Sequence, residues 1–322
     1  IQSDGAAEDP ISENARIWRI REDWEEADLT ADAAEYFNID LNSVTENHIN
    51  QLRAQYQTDW EEWPWEKGAP FYDDNENGIM DSGEKPGIAD ADQVVWFAAN
   101  DLNADTTESL YGSPPIGLEM QVTLWAYGEQ SGRDERLNNV IYKKVKLNYK
   151  GTSTTGENAV IDSMFLGQWV DTELGHYADD FAGCDTNLQL GYGYNSTNLD
   201  EIFFNEFQIA PPAFGYTLIQ GPQITTENGS ENLPLSFFWH KATGSTVTDP
   251  ELGTYEGTKQ MYNLLNGLIP RNGKPFRDME GNNCKFMVAG DPVAATGWYD
   301  GMTNGPGDRR YMMCAGPFSM EL

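Results

Sequence analysis

"LEMQVTLWAYG", Leu118–Gly128, is the stretch on which the fold turns. Its β-branched and aromatic residues follow a strand-like period and stop at a glycine. Working outward, "QVVWFAAN" (93–100) precedes it, and "NNVIYKKVKLNYKG" (138–151), "NAVIDSMFLGQWVD" (158–171) and "LQLGYGYN" (188–195) follow. Clusters of Gly, Asn, Asp and Pro separate these runs, and no helical pattern intervenes. The expectation is a mainly β protein, an antiparallel β-sandwich of jelly-roll or immunoglobulin-like type. "CKFMVAGDP" (284–292) and "RRYMMCAGPF" (309–318) read as returning strands. "GTKQMYNLLNGLIP" adds one late helix near 257–267, with Gly267 as its cap.

The N-terminal part has a different period. Ile49, Leu52, Tyr56, Trp60 and Trp63 fall on one helical face, which Pro64 ends. Ser43 and Glu46 match a capping box ahead of it. A shorter helix follows Thr30. "ARIWRIREDW" (15–24) reads as a strand or as an arm, folded on its own core or added to a neighbour's sheet edge. The resulting division is 1–70 for the arm and helical segment, 71–92 for a connecting loop, and 93–322 for the sandwich with its inserted helix.

That connecting loop carries the sharpest chemical signal. "DDNENGIMDSGE" (73–84) fits the calcium template D-x-[DN]-x-[DN]-G-x5-E. Asp73, Asn75 and Asn77 take the first, third and fifth places, and Gly78 makes the turn. Ile79 offers a carbonyl, Asp81 a carboxylate, and Glu84 two oxygens at once. Pro70 before the loop and Pro86-Gly87 after it disfavour flanking helices, so the reading is a free-standing calcium loop and not an EF-hand pair. A second acidic patch, "VDTELGHYADDFAGCD" (170–185), crowds Asp171, Glu173, Asp179, Asp180 and Asp185 together. Five carboxylates repel unless they are separated, protonated or bridged by a cation, which makes this a second candidate calcium site. His176 lies inside it.

The bulk numbers bound the function. The chain has 322 residues with a formal charge of −32, and carries 10 Trp, 15 Tyr and 14 Phe. Such aromatic content belongs to a folded protein. The charge argues against nucleic acid and anionic membranes as partners, and favours bound cations. No apolar run approaches the ~18 residues of a membrane span. The chain opens at Ile1 without a signal peptide, and reads as a processed product or a part of something longer. Of Cys184, Cys284 and Cys314, the last two are a candidate disulfide pair, the alternative being three free thiols. His48, His176 and His240 are scattered, and no zinc-protease, hydrolase-elbow, Walker or dinucleotide motif is present, so nothing points to an enzyme. Trp96, Trp125, Trp169 and Trp239 lie in strand patterns, where core packing is the commoner role and a sugar platform the sharper one. Sequons stand at Asn195 and Asn228.

Four phrases together carry a resemblance. "ADQVVWFAANDLN", "LYGSPPIGLEMQVTLWAYG", "IDSMFLGQWVD…LG…DDFAGCDTNLQLGYGYN" and "GDPVAATGWYDG…PGDRRYMMCAGPFSM" resemble large, uncharacterised secreted proteins of Bacteroidota and relatives that end in a type IX secretion sorting domain. The resemblance implies an exported cell-surface or extracellular protein, of which this chain is a portion lacking the sorting domain. "DSM" at Asp162 and "DTT" at Asp105 also look like the short O-glycosylation motif of that group. The expected role is structural or adhesive, stabilised by calcium and acting through self-association or other surface proteins. The alternative is a carbohydrate-binding or carbohydrate-processing module with glycans as partners.

Overall fold

The computed structural model describes residues 1–128, 134–227 and 229–322, so the sequon at Asn228 lies outside the described residues. The protein is mainly β, and each of its strand ladders is antiparallel. It divides into two compact units, the first comprising 1–103 and 115–155, the second 104–114 and 156–322. The boundary therefore falls inside the 93–322 segment. The first strands of that segment belong with the N-terminal helices.

In the first unit, strands β1 (Trp18–Ile20), β2 (Gln93–Asn100), β3 (Leu118–Ala126) and β4 (Ile141–Tyr149) form one sheet in that order. Alternation decides which side is buried. Val94 and Trp96 point to the same face as Trp18 and Ile20, their cross-strand partners. These four join Trp63, Ala69, Ala91 and Tyr127 in a core from which water is nearly absent. The segment read as an arm is thus an edge strand folded onto its own core. Helices α1 (Thr30–Phe37) and α2 (Glu46–Glu61) enclose a second cluster of Leu29, Ala33, Leu52 and Tyr56. The cap of α2 differs from expectation. Ser43 closes a short 3-10 turn, and Thr45 is the true N-cap. Its Oγ1 accepts the His48 N–H at 3.4 Å, while His48 Nδ1 accepts the Thr45 N–H at 3.2 Å. Histidine takes the role usually given to Glu or Gln, which is why the Ser-Glu pattern pointed two residues early.

The second unit is the sandwich. Strands β5 (Val160–Asp171), β6 (Asp180–Asp185), β7 (Leu190–Asn195), β8 (Phe214–Thr217), β11 (Leu235–Lys241) and β12 (Arg310–Glu321) build two sheets. One has the order β11-β12-β5 and the other β6-β7-β8. β9 (Gln223–Thr226) and β10 (Gly229–Asn232) form a separate hairpin. Phe238, Tyr311 and Met313 face β7 in a core shared with Val170, Ala182 and Cys184, while Trp239, Met312 and Cys314, on the opposite face of the same strands, pack with Trp169 and the late helix. Gly191 shows how close the layers come. A Cβ there would stand 2.9 Å from both Phe238 and Tyr311, so only glycine fits without a shift.

Helix α4 (Tyr255–Leu265) covers the sandwich with Leu264, its first turn capped by Thr254 Oγ1 accepting the Gly257 N–H at 2.9 Å. Gly267 follows its end with φ +68°, the left-handed position expected of it. Two expectations are corrected. "CKFMVAGDP" is irregular and pairs with β11 at a single bridge, between Phe286 and Phe238. The Asp105 motif lies on a helix that the sequence reading passed over, α3 (Ala104–Tyr111). The Asp162 motif is on β5, and Asn195 closes β7.

Candidate metal centres

The 73–84 loop is a closed excursion between the short 3-10 turn Trp65–Lys67 and β2, with no α-helix directly on either side. Its base is pinned by a bridge between Phe71 and Pro86, by Tyr72 N–H donating to the Lys85 carbonyl at 2.8 Å, and by Gly87 N–H donating to the Pro70 carbonyl at 2.9 Å. Inside, the template side chains bond to one another and to the loop's own N–H groups. Asp73 accepts the N–H groups of Asn77 at 3.0 Å and Gly78 at 2.8 Å. Asp81 Oδ2 accepts both amides, Asn75 Nδ2 at 2.9 Å and Asn77 Nδ2 at 2.8 Å. Glu84 closes the ring, accepting the N–H of Asp74 at 3.0 Å and of Asp81 at 2.8 Å. Gly78 sits at φ +75°, as the sharp turn requires.

The donor chemistry is uniform: carboxylate and amide oxygens, hard ligands suited to calcium. Each carboxylate oxygen that already accepts one N–H retains a second lone-pair direction. Asp73, Asn75, Asn77, Asp81, Glu84 and the Ile79 carbonyl are the donor types that hold calcium, but the loop's own N–H groups engage them here. Asn75 Oδ1 accepts the Asn77 N–H at 3.0 Å, and Asn77 Oδ1 accepts the Ile79 N–H at 2.7 Å. Among the described residues, the acids that bring oxygens within 4.8 Å of one another are Asp171, Glu173 and Asp308 instead. The amide donors of Asn75 and Asn77 hold the Asp81 carboxyl below its usual range. The site stays exposed, with Ile79 facing solvent.

The second acidic patch is taken apart by the fold. Asp171 and Glu173 meet Asp308, all three offering oxygens within 4.8 Å of one another. Arg310 already supplies a counter-charge, with Nε 2.8 Å from Asp171 and Nη1 3.3 Å from Asp308. Burial and the neighbouring Asp171 and Asp308 raise the Glu173 carboxyl. Asp308 is 137 residues from Asp171, and no local pattern announces it. The antiparallel register of Arg310 with Asp171 brings it there.

The other three acids serve elsewhere. Asp185 accepts the N–H groups of Asn187 and Leu188 in its own turn. Asp179 lies 4.0 Å from His176, at the end of a 3-10 turn. Asp180 points into the sandwich, where Oδ2 accepts the Leu174 N–H at 3.2 Å and Oδ1 has no partner among the described residues.

Burial raises the Asp180 carboxyl to about 6, opposed by the Leu174 N–H and reinforced by Asp179, Glu173 and Asp200. An acid raised above its unfolded value holds its proton more tightly when folded. Its contribution to stability is present at low pH and is lost as pH rises through about 6. Asp180→Asn is expected to stabilise the protein at pH 7.5 by up to about 3 kcal/mol, and by almost nothing at pH 4. Chemical denaturation of both proteins across that range checks it. A gain that does not depend on pH would contradict it.

Other candidates are structural. Trp96 and Trp239 are buried, Trp169 packs edge-on to Trp239, and Trp125 stacks on Tyr142 at 5.3 Å, so the four strand tryptophans serve packing. Cys184, Cys284 and Cys314 are free thiols, the first and last buried. His240 is buried beside Asp300 and held neutral, its pKa lowered to about 4 chiefly by burial. What the sequence reading missed is the ion pair next to it. Arg309 donates through Nε to Asp300 Oδ2 at 2.7 Å, both residues being almost inaccessible. No helix among the described residues is long and apolar enough to cross a membrane. No family model matches the chain, and neither a curated protein nor a solved structure matches it.

Proposed function

We propose that this chain is an extracellular or cell-surface structural protein, part of a larger secreted assembly, whose first unit is stabilised by calcium in the 73–84 loop. The calcium-loop spacing of Asp73, Asn75, Asn77, Asp81 and Glu84, on a loop that their hydrogen bonds already close, carries the calcium reading. Export rests on the resemblance to secreted proteins of Bacteroidota. The net charge of −32 supports a role for a cation, since each bound ion relieves self-repulsion of the compact state.

A site with three charged ligands belongs in the affinity range of extracellular modules, about 10⁻⁴ to 10⁻³ M. With free calcium at ten times that dissociation constant, binding to the native state alone adds about 1.4 kcal/mol. For a unit of this size that is a rise of roughly 4 °C in melting temperature. Glu84→Gln removes the charge at the bidentate position and is expected to erase most of the rise. The comparison is wild type and variant, each in millimolar calcium and in chelator. Wild type melting at one temperature in both buffers would make the loop a turn and not a site.

A further inference from the structure

We infer that copies of this chain join head to tail, the lysine-bearing edge of β4 in one copy seated in an acidic groove on the first unit of the next. The inference deepens the structural role proposed above and rests on it. Four of the chain's 20 basic residues, Lys143, Lys144, Lys146 and Lys150, fall within eight positions of a very acidic sequence. β4 is the outer strand of its sheet, so one of its edges carries no neighbouring strand among those described. Lys144 and Lys146 share one side of the strand, across from Thr123 and Gln121, and both are exposed. Neither has a carboxylate partner among the described residues, whereas Lys150 is engaged by Glu119 at 2.8 Å.

The complementary surface is a groove of about 760 Å³ bordered by Glu25, Glu26, Glu61, Asp92, Trp24 and Trp60. That volume is within the range of ligand-binding clefts. The basic side chains beside it are already committed, Arg21 to Asp23, Lys85 to Glu22 and Arg53 to the backbone carbonyls of Trp24, Glu25 and Ala27. The carboxylates of Glu25, Glu26 and Glu61 have no basic partner among the described residues. A concave surface in which carboxylates predominate focuses a negative field that attracts ammonium groups. Repulsion between whole copies is screened beyond about 8 Å at physiological salt, which leaves the local contact to decide. No lysine of β4 borders the groove. Two different patches on one chain make a heterologous contact, which propagates as an open string unless the rotation between copies closes it into a ring.

Neutral substitutions in the full chain separate the two surfaces. One variant carries Lys144→Gln and Lys146→Gln, the other Glu25→Gln, Glu26→Gln and Glu61→Gln. In sedimentation velocity with millimolar calcium, wild type is expected to form species that grow with concentration. Each variant alone is expected to associate at least about tenfold more weakly. An equimolar mixture is expected to form a species of twice the monomer mass and nothing larger, because each variant retains only one working surface. A mixture that stays monomeric overturns the inference and leaves the lysines as a guard against edge pairing. Unchanged association in either variant overturns it too. Wild type that is monomeric but retained on a heparin column through Lys144 and Lys146 would assign the strand to anionic glycans instead. Loss of calcium stabilisation in the melting experiment above, with association intact, would sink the calcium reading alone.

Discussion

Asp300→Ala is expected to destabilise the second unit by about 3–5 kcal/mol, the cost of leaving a buried charge without its partner. Asp300 Oδ2 accepts Arg309 Nε at 2.7 Å and the Ala182 N–H at 2.9 Å, while Oδ1 accepts the Gly301 N–H at 2.8 Å. Exposure is 2% for Asp300 and 4% for Arg309, so water replaces none of these bonds without opening the sandwich. Against a typical total of about 5–15 kcal/mol, one substitution removes a large share of the stability. The control is the double variant Asp300→Leu with Arg309→Met, which removes both charges and keeps the volume. It is expected to be more stable than Asp300→Ala alone, as replaced buried pairs commonly are. Urea unfolding of the three proteins measures both differences. A single variant within 1 kcal/mol of wild type would mean that the pair is solvated in solution.

Asp59→Ala is the counterpart in the first unit, with an expected cost of about 2–4 kcal/mol. Asp59 is 2% exposed although it lies on α2, and its carboxylate ties that helix to the start of the chain. Oδ1 accepts Arg16 Nε at 2.9 Å and Gln55 Nε2 at 3.0 Å, and Oδ2 accepts the Arg19 N–H of β1 at 3.0 Å. Without it, a backbone donor on an edge strand and one face of a guanidinium lose their acceptor together. Asp59→Asn keeps the shape but presents one donor where two acceptors are needed, and is expected to recover less than half of the loss. Thermal unfolding followed by tryptophan fluorescence reads it directly, since Trp18, Trp63 and Trp96 all lie in the adjoining core. Recovery to wild-type stability in Asp59→Asn would show that shape, and not charge, is what matters there.

Both hubs explain where sequence reading stopped. Val94 and Trp96, or Leu52 and Tyr56, could be placed because burial repeats at the period of a strand or a helix. The 73–84 loop stands out in the sequence because the calcium template asks for fixed spacing along one short segment. Asp59 falls on the same helical face as Leu52 and Tyr56, but a carboxylate there does not by itself read as buried. Asp300 and Arg309 sit in "YDGMTNGPGDRR", a stretch with the composition of a solvated loop. Their burial follows from the antiparallel return of β12 beside β5, a long-range fact. The same register moved Asp308 into the company of Asp171 and Glu173, and left Asp179, Asp180 and Asp185 to three separate tasks. α3 was missed for a different reason. Its eight residues, "ADTTESLY", sit between turn-forming clusters and include two threonines of modest helix propensity.

The most direct test of the calcium reading is calorimetric titration of calcium into the chelator-treated chain, beside Glu84→Gln. The expected result is one ion per chain in the 73–84 loop at a dissociation constant of about 10⁻⁴ to 10⁻³ M, with that heat lost in the variant. Identical titrations for the two proteins, or no heat from wild type at millimolar calcium, would contradict it.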